Sequence, residues 1–541
     1  MPSLPIATAM AMTARIPTAR TKKTFIAARP TTSSRKQFPE SRFSLFRNVK
    51  PLATILVEGA DAKHGLKRSL GRWSLTAMGI GCIIGTGIFV LTGVASATRA
   101  GPALTVSFVI AGFVSILAAF CYAEVSSKIP IAGSAYTYTY ATVGELLAWI
   151  VGWGLVFEYA LGAATVSVGW SGYFTFILHA LFNIDIPQAW QHSHWDMTPG
   201  IANVPAAAII LLITALLVRG TKESGTVNAV IVTIKIAIVL FFIAIGASHV
   251  NYANFHLPAG PQTAGGGYFP FGWAGVIGGA AFMFFAYIGF DAISTAAEEA
   301  RNPSKDLPFA IMVSLTICTA LYIIVAAILD GIVPFYKLNV AFPVAFAMNY
   351  VGMAWAGIIV SFGAIAGLTT VMLVQMFGQT RVFYAMSRDG LIPSSFVRLH
   401  PRWRTPFFSQ IFFGILIAIA GAFFPIGILG SATNMGTLMA FVLVAVAVPV
   451  LRKRHPELRG TFAVPFGTYV IPVLTAISAL FLIYFLKVGN PLVWGFFPLV
   501  WLAFLIWLVA GLIFYVFYGR YRSAVALQRA EGIAPIQPRV N

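Results

Sequence analysis

The sequence predicts an all-α polytopic membrane protein of twelve transmembrane helices: a five-plus-five inverted repeat with two peripheral helices added. Three observations carry this reading. The chain of 541 residues is 58% hydrophobic and only 10% charged, with a mean hydropathy of +0.83, too apolar for a soluble core of that length. Twelve stretches reach the roughly 20 residues a bilayer crossing needs, at 73–98, 102–127, 144–172, 201–219, 225–248, 273–297, 307–330, 353–385, 407–425, 429–450, 467–487 and 494–518. The first and sixth of these are the most glycine-interrupted, and each begins a group of five. Five is odd, so the second group enters the membrane from the opposite side.

The net charge of +19 suggests nucleic acid until its distribution is read. With the N-terminus in the cytoplasm, only Arg99, Lys337 and Lys487 fall in outside loops. Arg219, Lys222, Arg301, Lys305, Arg388, Arg398, Arg402, Arg404, Arg452, Lys453, Arg454 and Arg459 all fall inside. This asymmetry predicts a multi-pass protein of the cell (inner or plasma) membrane with both termini cytoplasmic. It makes anionic lipid headgroups, not nucleic acid, the partners of the basic residues. Cys82, Cys121 and Cys318 lie within apolar spans and share no motif spacing, so neither a disulfide framework nor a metal site is implied. Nothing in the sequence sets an oligomeric state.

Residues 1–71 read as a basic cytoplasmic tail, 72–450 as the core of spans 1–10, and 451–541 as spans 11 and 12 with a second tail. Residues 1–39 carry seven basic residues and no acidic one. That composition fits a transit peptide, a disordered tail, or a start codon set too early ahead of Met10 and Met12. Span 1 reads WSLTAMGIGCIIGTGIFVLTG from Trp73, with Gly79, Gly81, Gly85, Gly87 and Gly93. Each glycine in a helix interior costs about 1 kcal/mol relative to alanine. Gly85-Thr86-Gly87 therefore marks either a broken helix, whose free backbone groups face a polar cavity, or a continuous helix with a close-packing face.

Span 2 ends with Glu124 beside Lys128, a paired or solvated interface charge. In the following loop Tyr136, Tyr138 and Tyr140 fit an interfacial aromatic belt. Glu158, mid-span 3, is a functional candidate because a charge at that depth is costly; a protonated Glu bonded to a neighbouring helix is the other reading. His192 and His194 sit in an outer loop without a third ligand at telling spacing. Lys235 lies about ten residues from either edge of span 5, too deep to snorkel readily. Burial disfavours a charged amine, so Lys235 either gains and loses a proton or stays charged against Glu158 or Asp291. Span 6 repeats the oddity of span 1, with Gly278, Gly279 and Gly289 and the mid-membrane Asp291. Span 10 holds a short polar patch, Thr433-Asn434-Met435-Gly436. Spans 11 and 12 carry no interior ionisable residue and read as lipid-facing or oligomer-facing additions.

Two broken helices at matching positions of inverted halves point to a transporter binding site. The restarted half of span 1 begins near Gly87, and its open N–H groups carry roughly half a positive charge, fit for a carboxylate. The first half of span 6 ends near Phe285, and its open carbonyls carry the opposite partial charge, fit for an ammonium. Together the breaks suit the zwitterionic end of an α-amino acid.

GIGCIIGTGIFVLTG, GSAYTYTY, FAYIGFDAISTAAEEARNP and VFYAMSRDGLIP occur in that order. Through them residues 41–520 resemble the cationic amino acid transporter branch of the amino acid–polyamine–organocation superfamily. The resemblance implies substrate contacts at Ile83, Thr86 and Gly87 of span 1 and at Phe285, Ala286 and Ile288 of span 6, several of them through backbone atoms. Lys235 matches a span-5 lysine that stands where sodium-coupled relatives hold sodium, which implies proton coupling. Glu158 matches an acidic position near the same cavity, and Asp291 is the second acidic candidate. Gly112, Val371, Met372 and Met376 are candidates for the side-chain pocket. The expectation is secondary active import of amino acids by proton symport, driven by the proton gradient without a cofactor. Sodium symport or amino acid/amine exchange on the same fold is the alternative. A membrane nutrient sensor is the reading from another class. No catalytic set, HExxH or phosphate loop supports an enzyme.

Overall fold

The computed structural model describes residues 49–51, 70–129, 134–196, 198–220, 225–260, 263–297, 299–458 and 460–525. These belong to one compact unit, Leu45–Asn541. The readings of residues 1–48 and 52–69 and of Lys222 and Arg459 fall outside the described residues.

Every expected span coincides with helix. Span 1 is split into Arg72–Ile83 and a second half running from Gly87 to Ala100, partly in wide π-type turns. Span 2 is Leu104–Lys128, span 3 Glu145–Phe182, span 4 Val204–Arg219 and span 5 Gly225–Gly246. Span 6 is split into Gly272–Met283, a tight turn Phe284–Tyr287, and Asp291–Ala296. Span 7 is Pro303–Ile332, span 8 Ala354–Arg388, span 9 Phe407–Phe423, span 10 Ile426–Arg454, span 11 Val470–Phe485 and span 12 Leu499–Phe514. The only sheet among the described residues is a two-stranded ribbon, Leu492–Val493 with Phe497–Pro498. Among the described residues, eight helical runs are long and apolar enough to cross a membrane, and spans 4, 9 and 11 are shorter apolar helices. The run Gly87–Lys128 joins the second half of span 1 to span 2, with the turn between them at Gly101 (φ 61) and Pro102.

Local sequence sets the ends. Asn203 caps span 4 by accepting from Ala206 N at 3.1 Å, with Pro205 in the first turn. Gly144 (φ 131) separates a short helix, Ser134–Thr142, from span 3. Asn183 (φ 52) ends span 3 in the left-handed region. Span 3 thus runs ten residues beyond its expected end at 172, into what the sequence reads as loop.

The packing is symmetric under a shift of five. Spans 2 and 7, 3 and 8, and 4 and 9 pair with each other. The first half of span 1 lies on span 7 as the first half of span 6 lies on span 2. Span 10 lies on span 3 as span 5 lies on span 8. This is the arrangement expected of inverted repeats.

On the face where span 1 begins, charges are held in pairs. The Glu124 carboxylate accepts from Arg452 Nε (2.7 Å) and Nη2 (2.5 Å), Lys128 Nζ (2.7 Å) and Val464 N (2.7 Å). Lys50 Nζ lies 2.8 Å from Asp389 Oδ1, and Tyr136 donates to Asp389 Oδ2 at 2.7 Å. Glu145 accepts from Tyr140, Tyr515 and Ser523. Tyr136, Tyr138 and Tyr140 are therefore not an aromatic belt: all three lie on the short helix Ser134–Thr142 and are buried in the protein, and the Tyr136 and Tyr140 hydroxyls donate to carboxylates. Arg99 also departs from expectation. It is buried, donates to Val488 O and Gly489 O, and stacks over Phe282 at 4.2 Å. Span 12 is likewise docked on span 3. Trp149 and Trp153 stack at 5.3 Å, Trp153 and Trp507 at 4.6 Å, and Trp149 Nε1 donates to Gly511 O at 3.1 Å.

Candidate functional site

Span 1 breaks at mid-height. Its first half ends in Ile84, whose backbone turns extended (ψ 105) while its N–H still donates to Ile80 O. The chain bends at Ile84 and Gly85, and helix resumes at Thr86. A restarting helix leaves its first N–H groups without intrahelical acceptors. No carbonyl among the described residues accepts from the N–H groups of Gly85, Thr86 or Gly87. Thr86 Oγ1 is buried beside them without a hydrogen-bond partner among the described residues. Span 3 holds this second half in place: Tyr173 donates to Phe89 O at 2.6 Å, and Gly169 gives Thr86 its room.

Span 6 breaks at Ile288 and Gly289. Ile288 is extended (ψ 134) and Gly289 takes φ 117. The end of the first half is partly capped: Asn434 Nδ2 donates to Ala281 O at 2.8 Å and Phe282 O at 2.9 Å. Asp291 stands in the first turn after the break, where a carboxylate complements the positive end of a helix, and Tyr159 donates to its Oδ2 at 3.3 Å.

The two breaks touch. A side chain on Gly87 would overlap the Cα and Cβ of Ala286, and one on Gly289 would meet the Cys82 carbonyl. Tyr322, from span 7, donates to Ile83 O at 2.7 Å and Ala286 O at 3.0 Å, so one phenol spans both interruptions. Of the residues expected at the site, Ile83, Thr86, Gly87, Phe285, Ala286 and Ile288 are all buried around this junction. Val371 of span 8 faces Gly85. Met372 and Met376 are buried further along that helix. Gly112 of span 2 lies against Thr319 and the hydroxyl of Tyr287, the last residue of the span 6 turn.

Lys235 is 1% exposed. Its Nζ donates to Gly81 O at 2.8 Å and Ile84 O at 3.3 Å, the carbonyls at the end of the first half of span 1. Its stem runs against Gly367 of span 8. Neither Glu158 nor Asp291 is its partner, as the sequence allowed; a cation at the carbonyl end of a helix satisfies orphan acceptors without a counter-ion.

Glu158 is buried at 1% exposure, and neither carboxylate oxygen makes a hydrogen bond among the described residues. It lies eleven residues before Gly169, the residue of span 3 that meets Thr86. At 1.5 Å per residue that is about 16 Å along the helix, so Glu158 is not beside the span 1 break. Gly162 faces Gln375 and Gly378 faces Tyr159, a register that puts Glu158 level with Gln379. Both amide atoms of Gln379 are also buried without a partner among the described residues. Gln379, Asn434, Tyr322 and Tyr173 were not singled out by sequence; Asn434 alone left a signal, as part of the polar patch in span 10.

A family model described as "Amino acid permease" matches residues 70–518. The chain is 47% identical over 480 residues to the "Methylthioribose transporter" of Bacillus subtilis (strain 168), an alignment covering 89% of this chain and 99% of that protein. It is 46% identical over 471 residues to the "Branched-chain amino acid permease BcaP" of the same organism, covering 86% and 96%. With the "Cationic amino acid transporter 4, vacuolar" of Arabidopsis thaliana it shares 40% identity over 403 residues, covering 73% and 65%.

Proposed function

The chain belongs to the amino acid permease family, and from that premise we propose that it imports amino acids in symport with protons across the cell membrane, its basic face toward the cytoplasm. The observation that carries this reading is the junction of the two breaks. Open N–H groups at Gly85, Thr86 and Gly87, with the free Thr86 hydroxyl, suit a carboxylate. The carbonyl ends of Arg72–Ile83 and of the Phe284–Tyr287 turn suit an ammonium. Ile83, Thr86, Gly87, Phe285, Ala286 and Ile288 are the substrate-contact residues on this reading.

The substrate side chain is uncharged. Val371 faces Gly85, and Glu158, the unpaired carboxylate of span 3, lies about three helical turns from the Thr86 level. Lys235 is the proton carrier. Protonated, its ammonium ties the end of the first half of span 1 to spans 5 and 8. Neutral, it has weaker donors for the Gly81 and Ile84 carbonyls and lets that half move. A sodium ion would need those same two carbonyls, and Nζ already sits on them.

Purified protein in liposomes, with proton and sodium gradients imposed separately, tests coupling. Accumulation should follow the proton gradient alone. Lys235→Ala should abolish gradient-driven accumulation while substrate binding persists; full-rate accumulation by that variant would remove Lys235 from the mechanism. A competition panel of branched, small neutral and cationic amino acids with methylthioribose tests the substrate. Methylthioribose has neither carboxylate nor ammonium. If it competes and amino acids do not, the zwitterion reading is lost.

A further inference from the structure

The geometry points to a second proton-binding site, the Asp330 carboxyl group, which joins the outer half of span 1 to span 7 while it carries a proton and parts them when it does not. This site serves a carrier whose two faces open in turn, as proposed above. It stands apart from Lys235 and from whatever the breaks bind.

Asp330 lies in the last turn of span 7, away from the face where span 1 begins. It is 1% exposed. Its Oδ1 accepts from Ser96 of span 1, and its Oδ2 is buried without a partner among the described residues. A buried carboxylate needs a cation or several donors, and this one has a single hydroxyl. It also stands at the carbonyl end of its own helix, where negative charge is disfavoured.

The charged and titratable groups on the surrounding elements have other partners or lie in the open. Arg99 of span 1 donates to Val488 O and Gly489 O. Lys337, in the turn after span 7, lies 5.3 Å over the Tyr350 ring. His249 and His256, between spans 5 and 6, are exposed, as are Tyr252, Tyr336 and Tyr350. The Tyr268 hydroxyl bonds to Thr105 Oγ1 at 2.6 Å. Spans 2 and 5 bring no ionisable residue to this end.

The site is closed over. Asn251 N (2.9 Å) and Asn254 Nδ2 (2.8 Å) both donate to Gly331 O, so the segment after span 5 folds across the end of span 7. A Cβ on Gly331 would meet Val250 and Phe255. Water reaches the bare Oδ2 when spans 1 and 7 separate here. The anion therefore favours the separated arrangement and the neutral acid the joined one, so that closing the outer face takes up a proton.

The test is the distance between spin labels at Thr98→Cys and Tyr336→Cys, exposed positions on span 1 and just after span 7. The full chain in lipid nanodiscs is used, with Cys82→Ala, Cys121→Ala and Cys318→Ala. Raising the pH from mildly acidic to mildly alkaline should add a longer-distance population. Asp330→Asn, a neutral side chain of nearly the same shape, should hold the short distance throughout. Ser96→Ala removes the one donor to the acid and should move the onset of the longer population down by about one pH unit, what one hydrogen bond is worth. That arm also covers an asparagine variant that folds poorly. A distance that ignores pH with Asp330 present, or a pH dependence that Asp330→Asn leaves unchanged, would overturn the site. No substrate is needed, so failure of the amino-acid reading would show in the competition panel and leave this distance as it is.

Discussion

Span 1 and span 6 are both interrupted halfway along, yet only one of them uses a left-handed residue. In span 1, none of the five glycines from Gly79 to Gly93 has a positive φ. They are there for approach. Gly79 admits Ile293 and Ser314, Gly81 admits Val232, Gly87 lies on Ala286, and Gly93 on Leu338 and Pro343. The break itself is made by an extended Ile84 (ψ 105), and Lys235 takes up its stranded carbonyl. In span 6, Gly289 sits at φ 117, a conformation costly for any side chain. Closeness thus governs the first interruption and backbone conformation the second. The two alternatives the sequence offers for span 1, a break or a packing face, are both present in it.

The comparison breaks most visibly at Gly87. Leucine there would have to pass through the Cα and Cβ of Ala286, and backbone does not yield as a side chain does. Gly87→Leu should lower uptake per folded transporter by about a hundredfold or more, with loss of substrate-dependent thermal stabilisation. Normal uptake by this variant would mean that the two breaks do not meet in the working protein. Gly289→Ala should come next. Alanine at φ 117 is strained, and its Cβ would lie 2.9 Å from Cys82 O. Such strain costs of the order of 1–3 kcal/mol, which should appear as a lower denaturation midpoint and an uptake rate reduced about tenfold. A variant as stable and active as wild type would show that span 6 does not need a left-handed residue.

The same contrast explains what could be read from the sequence. The glycine cluster of span 1 located its break to within a residue or two, because a glycine cluster in an apolar span reports a local fact about the backbone; the span 6 break, expected near Phe285, falls at Ile288 and Gly289, beyond the Gly278-Gly279 pair. Lys235 stood out because a charge at that depth is conspicuous by itself. Its partners did not: Gly81 and Ile84 offer carbonyls, which every residue has, so no letter in the sequence marks them. Asn434 and Tyr322 fall in the same class, since their value lies in carbonyls 153 and 36 residues away. Tyr136 misled for a related reason. An aromatic run near a membrane edge looks interfacial until Asp389, 253 residues on, is found to hold its hydroxyl. Glu158 shows the limit from the other side: depth made it conspicuous, but only the contact of Gly169 with Thr86, span 3 on span 1, gives its distance from the span 1 break.

Gly85 makes the finest test of closeness against conformation. It stands at the bend of span 1, where a reader of glycine clusters would expect backbone freedom to be essential. Its φ is not positive, so alanine can adopt the same backbone. The nearest obstacle to a Cβ is Val371 Cγ2 at 3.2 Å, with Cγ1 at 3.6 Å. A valine methyl at that distance needs to shift by only a few tenths of an ångström, at a cost below about 1.5 kcal/mol. Gly85→Ala should therefore keep uptake within about threefold of wild type, and Gly85→Ala with Val371→Ala should recover most of the deficit, because the second change removes the one contact the first creates. Uptake rates of the two variants, compared at equal amounts of folded protein, decide it. A large loss that the Val371 change does not relieve would mean that the bend at Gly85 visits backbone conformations closed to alanine during transport, and span 1 would then need glycine for the same reason as span 6.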